Sequence, residues 1–267
     1  MLWDTHMHTY FSGDSKANPE SMIQAAKTLG LAGICFTDHV DTNNPDGTNA
    51  FWIDLSTYLP TMKDLSKISD KKLTICVGIE LGLQPHLTER LNRIVSGYEF
   101  DFVIASSHTV HGLDPYHLRY FDNKTDDEAY AEYFSSIMEN ITIFNDFDVY
   151  GHLDYVVRYG ATKNKFYSYE KFSDIIDEVL RTLIHMGKGI EINTSGFKCG
   201  LGHPHPTETI LKRYRELGGE IITIGSDAHK PDHVGYDFDK VPKILREAGF
   251  RYFTVFKERK PIFFPLQ

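Results

Sequence analysis

Cysteine is scarce in this 267-residue chain: Cys35, Cys76 and Cys199 are the whole complement. An odd, widely spaced set argues against a disulfide framework and fits a reducing compartment. Cys35 and Cys76 fall in apolar, strand-like runs, where a cysteine packs as a small hydrophobe. Basic blocks are also missing. Lys and Arg number 28 against 37 Asp and Glu, a net charge of −9, which argues against an extended nucleic-acid footprint. No apolar run is long enough to span a bilayer, and no Pro/Ser-rich linker, low-complexity tract or internal repeat divides the chain. The opening Met1-Leu2-Trp3-Asp4-Thr5-His6 lacks a basic region followed by an apolar stretch, so a cytoplasmic location is expected rather than secretion. With 41% hydrophobic and 24% charged residues the composition is that of a soluble globular protein, and one domain over 1–267 is the simpler reading.

Histidine is plentiful, with 13 in the chain. His6 and His8 end the first apolar segment. On a β-strand, residues i and i+2 face the same side, so both imidazoles can address one ion from a rigid backbone. Alone, such a triplet is as readily a surface accident; it gains meaning only if other ligand-type residues stand at comparable places.

They do. Short apolar, β-branched runs predict strands near 2–6, 32–37, 73–79, 101–106, 148–151, 188–192 and 221–225. Helical patterns separate them: one capped by Asn18, opened by Pro19 and stopped before Gly30, then others at 54–68, 88–97, 126–144, 168–186, 207–217 and 240–248. Repeated βα units imply a parallel sheet, and about seven of them suggest closure into a barrel. The strands end, in order, at His6 and His8, Asp38-His39, Glu80, His108, His152, Glu191 with Asn193, and Asp227 with His229. In a parallel barrel these ends share the C-terminal face, where active sites sit.

Imidazole and carboxylate without thiolate suit zinc, manganese or iron. Six histidines and three carboxylates exceed what one ion takes and fit a cluster. Three divalent ions against three carboxylates leave a local charge of about +3, which attracts phosphate even to an acidic protein.

These residues, in this order, resemble the polymerase and histidinol phosphatase (PHP) family of metal-dependent phosphoesterases. The matching segments are Asp4-Thr5-His6-Met7-His8, Phe36-Thr37-Asp38-His39, Gly78-Ile79-Glu80, Ala105-Ser106-Ser107-His108, Gly151-His152-Leu153-Asp154 and Gly225-Ser226-Asp227-Ala228-His229. The resemblance implies a distorted (β/α)7 TIM-like barrel and two or three divalent transition-metal ions. It assigns His6, His8, Glu80 and Asp227 to a first ion, and Glu80, His108 and His152 to a second, with Glu80 bridging. His39, His229 and Asp14 would hold a third. Many family members look to carry histidine where this chain has Asp14, and an exposed loop aspartate is the plainer reading of that residue.

The stretches Phe11-Ser12-Gly13-Asp14-Ser15 and Gly151 to Gly160 are similar to the histidinol-phosphatase branch. The implied reaction is hydrolysis of L-histidinol phosphate, with a small phosphorylated substrate as the partner and neither nucleic acid nor membrane involved. Arg158 can clamp phosphate oxygens in a planar fork; a surface salt bridge is its other reading. Lys198 stands where some relatives place an arginine and is the second substrate-binding candidate. Asp227 or His229 would shuttle a proton to the leaving alkoxide. Rival readings are a PHP phosphoesterase for nucleotides, an amidohydrolase-like enzyme with a bridging lysine on its fourth strand, and a non-catalytic metal-binding module. His203-Pro204-His205-Pro206 reads as loop punctuation before substrate contact, and His111, His117 and His185 as packed or solvated residues.

Overall fold

Alternating apolar strands and amphipathic helices wind into a barrel in the computed structural model, which describes residues 2–42 and 52–266. The strands are β1 (Trp3–Asp4), β2 (Gly33–Phe36), β3 (His39–Val40), β4 (Thr74–Gly82), β5 (Phe102–Ser106), β6 (Val149–Tyr150), β7 (Gly189–Asn193) and β8 (Ile222–Gly225). All pair in parallel in the order β1-β2-β4-β5-β6-β7-β8, with β3 continuing the path of β2 along β4. The ring is drawn together where β8 meets β1: Thr5 N–H donates to Ile224 O at 2.9 Å, and Asp227 N–H to His6 O at 2.9 Å. Seven staves thus surround a core in which Val103, Ile104, Ile190, Ile192, Ile222 and Ile224 are fully buried.

The helices α1 (Pro19–Leu29), α2 (Leu55–Ser66), α3 (Thr88–Gly97), α4 (Asp126–Ile143), α5 (Ser173–His185), α6 (Ser195–Lys198), α7 (Glu208–Glu216) and α8 (Val241–Glu247) alternate with the strands. Local chemistry sets their ends. Asn18 Oδ1 accepts the Glu20 N–H, and Gly30 adopts φ 68° to stop α1. Thr125 and Glu128 form a reciprocal capping box on α4. The single helix expected over 168–186 is divided: a 3-10 turn, Tyr169–Phe172, precedes α5. No helix among the described residues is long and apolar enough to cross a membrane.

Beyond the short β3 and α6, which the sequence-based expectation did not include, a larger unassigned element lies after 248. β9 (Tyr252–Lys257) and β10 (Lys260–Pro265) form an antiparallel hairpin. Phe256 stacks on Phe102 with centroids 5.3 Å apart, Phe264 packs 6.0 Å from Trp3, and Thr254 Oγ1 accepts the Ile222 N–H. All three partners sit where strands begin, so the hairpin covers the end of the barrel opposite the histidines. Its turn is tied down by Arg259, whose Nε donates to the buried Asp148 at 2.6 Å and whose main-chain N–H donates to Asp101 O. Asp148 also accepts the Val103 N–H at 2.8 Å, so it links the hairpin to β5. Arg259→Ala leaves a buried carboxylate without its cation and is expected to cost about 2 kcal/mol. Urea unfolding measures this, and an unchanged midpoint would show that the hairpin is held by its aromatic contacts alone.

Candidate metal centre

Each strand delivers its polar tip to the C-terminal mouth. Beyond β1 the chain stays extended through His8: Met7 bridges to Ala228, and the two histidines, one residue either side of it, are fully buried. Glu80 lies within β4, with no exposure at all. His108 and His152 follow β5 and β6, and Asp227 and His229 follow β8. His6, His8, His39, His108, His152, Asp227 and His229, with Asp14 from the loop before α1, gather at the mouth around Glu80.

The spacing of the donor atoms is informative. Two ligands each roughly 2.1 Å from one tetrahedral ion stand about 3.4 Å apart. Glu80 Oε2 lies 3.4 Å from His6 Nε2 and 3.6 Å from His8 Nε2, while Asp227 Oδ1 lies 3.4 Å from His8 Nε2 and 3.9 Å from His6 Nε2. Neither Nε2 atom makes a hydrogen bond, although both are buried. On the other side, Glu80 Oε1 lies 3.3 Å from His108 Nε2 and 3.0 Å from His152 Nε2, and those nitrogens are 3.4 Å apart. A third group is more open. Asp14 Oδ2 lies 2.9 Å from His229 Nε2 and 3.7 Å from His39 Nε2, and the His8 ring stacks against both, with centroids 4.1 Å from His39 and 4.2 Å from His229. The donor set therefore suits divalent cations, in overlapping groups that share Glu80 and His8.

Charge agrees with that reading. Burial alone would raise the Glu80 carboxyl, but His6, His39 and His108 hold it well below the usual carboxylate range. Burial, reinforced by the His39 and His229 rings, pushes the His8 imidazole well below its ordinary value; burial also lowers His152. Ionised carboxylate and neutral imidazole are the ligand forms. His6, His39 and His108 are opposite: despite burial, Glu191 and Glu80 raise His6, Glu80 and Asp14 raise His39, and Asp41 and Glu80 raise His108 to about 10. Protons on such imidazoles balance the buried carboxylates, and a bound cation would displace them.

The rim carries the other candidates. The Arg158 guanidinium is no surface salt bridge: it stacks 4.5 Å over Tyr155, donates to Ser195 Oγ at 3.2 Å and approaches Asp227 Oδ2 at 3.7 Å. It opens onto a cavity of about 110 Å³ bordered by Asp14, Asp114, His152, Tyr159 and His229. Lys198 stands behind this cavity, where its Nζ donates to the main-chain oxygen of Asp227 at 3.0 Å. Asp14 is partly exposed and still reaches the cluster. His205 is buried and pairs through Nδ1 with Asp154, while its backbone bridges Asn193, so the 203–206 loop is built into the barrel wall. His111 is surface-held between Glu132 and Glu139, and His185 is exposed on α5.

Sequence reasoning missed Asp41, whose Oδ2 lies 2.8 Å from His108 Nδ1 and 3.8 Å from His39 Nδ1. The signal was available: Asp41 is two residues beyond His39 on β3, hence on the same face. Asp114 lies in a loop, and Tyr155 and Tyr159 open and cap a short 3-10 turn; none carried a periodic signal. The amidohydrolase-like reading loses its support here, because Glu80 stands between the two donor groups and no lysine among the described residues borders the cavity.

Residues 4–195 match the PHP domain. The chain is 34% identical to the probable histidinol-phosphatase of Clostridium acetobutylicum, over 99% of this chain and 97% of that protein. A 31% identity to the histidinol-phosphatase of Lactococcus lactis covers 96% of this chain and 95% of its relative. The crystal structure of the histidinol phosphate phosphatase from Lactococcus lactis, complexed with zinc, L-histidinol and phosphate, superposes with a TM-score of 0.91 at 31% identity, covering 98% of both chains. A family match over most of the length, relatives above 30% identity and the same barrel lead to one conclusion: this chain belongs to the PHP family.

Proposed function

We propose that the chain is a histidinol-phosphatase, a cytoplasmic, metal-dependent phosphomonoesterase of histidine biosynthesis, built as one domain over 1–267. It hydrolyses L-histidinol phosphate to L-histidinol and phosphate. The observation that carries this reading is the full-length likeness, at a TM-score of 0.91, to a protein that holds zinc, L-histidinol and phosphate together.

In this reading His6, His8, Glu80 and Asp227 hold one divalent ion, and Glu80, His108 and His152 a second. His39, His229 and Asp14 hold a third. Zinc, manganese and iron all suit these donors. When bound, such ions supply Lewis acidity at the phosphoryl oxygens and lower the pKa of water.

The chain's own residues do the rest. Arg158, already desolvated and fixed by Tyr155 and Ser195, presents a permanent positive charge to the cavity and binds phosphoryl oxygens as negative charge grows on them. Lys198 acts through Asp227, by holding its main-chain oxygen, and adds a second positive charge behind the phosphate. Asp227 or His229 would relay a proton to the leaving alkoxide only while not holding an ion; the His229 ring is oriented by an Nδ1 contact of 3.0 Å to Asp227 O. Asp41 orients His108 through its Nδ1. Asp114 and the Tyr155 and Tyr159 rings at the rim suit a leaving group that carries an ammonium and an imidazole.

Histidinol phosphate, nucleoside monophosphates and a chromogenic phosphate ester, assayed with defined metals, test the assignment. Strong preference for histidinol phosphate is expected; equal kcat/KM on all would sink the substrate and spare the reaction class. Chelation should abolish activity and added zinc, manganese or iron restore it, whereas turnover surviving complete metal removal would exclude the metal-dependent reading. Arg158→Ala should lower kcat/KM by about 100- to 1,000-fold while the metal content stays that of the parent. Elemental analysis beside the kinetics checks this, and loss of metal in that variant would make Arg158 part of the ion site instead.

A further inference from the structure

We infer that Glu191 is a positioning residue, one carboxylate that fixes both the ring of His6 and the backbone of His152 from behind the cluster. The inference rests on the reading of His6 and His152 as metal ligands. Glu191 sits on β7 and is fully buried. Its Oε1 lies 2.8 Å from His6 Nδ1, and its Oε2 accepts the His152 main-chain N–H and an Asn193 Nδ2–H, each at 3.0 Å.

The orientation of the Asn193 amide follows from its other contacts. Asn193 Oδ1 accepts both the Ser195 N–H at 2.9 Å and the Ser195 hydroxyl at 2.6 Å, so its amino group must face Glu191. Glu191 Oε2 therefore faces two obligate donors and can only accept. Oε1 of the same carboxylate makes Nδ1 the protonated nitrogen of His6. Nε2, the atom directed at Glu80 and Asp227, is then the nitrogen that gives up its proton to a cation, which leaves the tautomer a ligand needs. His152 has φ 20°, strained for a residue with a side chain, and its N–H bond to Glu191 restrains that turn.

The surroundings leave room for this carboxylate. A Cβ at Gly225 would lie 2.0 Å from Glu191 Oε1 and 2.5 Å from His6 Cβ, and one at Gly151 would come within 3.5 Å of Glu191 Oε2. Two glycines, at the ends of β8 and β6, flank the slot. Because its oxygens are turned toward three donors, Glu191 serves the ligands rather than joining them.

Glu191→Gln tests the role without changing shape. If the glutamine oxygen keeps His152 and Asn193, its amino group faces His6 Nδ1 and drives the ring proton to Nε2. If the amide flips, its amino group opposes two donors and the His152 turn loses its acceptor. Either way zinc binding suffers. A competitive chelator titration of the metal-free protein should show affinity for zinc 10- to 100-fold weaker than in the parent. Nitrogen-15 NMR of histidine-labelled, metal-free protein should show His6 protonated at Nδ1 in the parent and shifted from that state in the variant. Parent-like zinc affinity and tautomer in Glu191→Gln would overturn the inference. So would a parent protein with His6 protonated at Nε2 and not at Nδ1, a measurement that does not require the variant to fold. His6→Ala separates the two claims: if it loses zinc while Glu191→Gln keeps it, only the role of Glu191 falls, and if His6→Ala itself binds zinc like the parent, the ligand reading falls too.

Discussion

The site depends on one buried carboxylate. Glu80 stands on β4 between Ile79 and Leu81, and all three are without exposure. An isolated carboxylate in such surroundings is prohibitively costly, and it is tolerated because five imidazoles approach it. Oε2 faces His6, His8 and His39, the last at 2.8 Å; Oε1 faces His108 and His152 and accepts the Ser106 hydroxyl at 2.6 Å. One side chain thereby divides the donors into two groups and is shared by both. A strand with neighbours on either side is the right place for it, because its backbone cannot yield when the charges around it change.

Much of this was legible because strands and barrels are regular. The period of two predicts that His6 and His8 share a face, and parallel βα units predict that strand ends share a mouth. What escaped was set by contacts that no local pattern encodes. The His6–Glu191 pair spans 185 positions, and Glu191 is visible in the sequence only as another strand-end acid. The hairpin was hidden for a different reason. Its turn places Glu258 at φ 50° and Arg259 at φ 62°, values that a two-residue hairpin usually obtains with Asn-Gly. Without those residues, and with Pro261 and Pro265 in the second strand, the segment carries no hairpin signature. The prolines are compatible with β10 because it pairs on one side alone.

Two strained residues stand where donors leave the strands. His152 at φ 20° and Asp227 at φ 53° are both side-chain-bearing residues with positive φ, each two positions beyond a strand. Such conformations persist only when the surroundings over-determine them. The Asp227 N–H is held by His6 O, and the His152 N–H by Glu191. Asp4 adds to this: buried beneath the mouth, it accepts the Ser226 N–H at 3.0 Å and the Gly235 N–H at 2.9 Å, so the loop after β8 is pinned on both sides of Asp227. The donors are pre-placed by hydrogen bonds made elsewhere, which leaves their own lone pairs for cations.

Net charge and substrate charge also fit together. A protein at −9 repels free anions from its surface, yet Arg158 borders the cavity, its charge acting across a short, poorly screened distance, and divalent ions held by the imidazoles and carboxylates would add to it. Beyond that positive floor the rim turns acidic again at Asp114. A phosphate ester with a cationic tail is nearly balanced overall, so the acidic surface does not exclude it. Its two ends meet the two signs in the order the cavity presents them. A nucleoside monophosphate brings the same phosphate with no cation for the rim, and gains only half of that complementarity. Preference among small phosphate esters can therefore arise from the arrangement of charge around the mouth, while the chemistry at phosphorus stays common to the family.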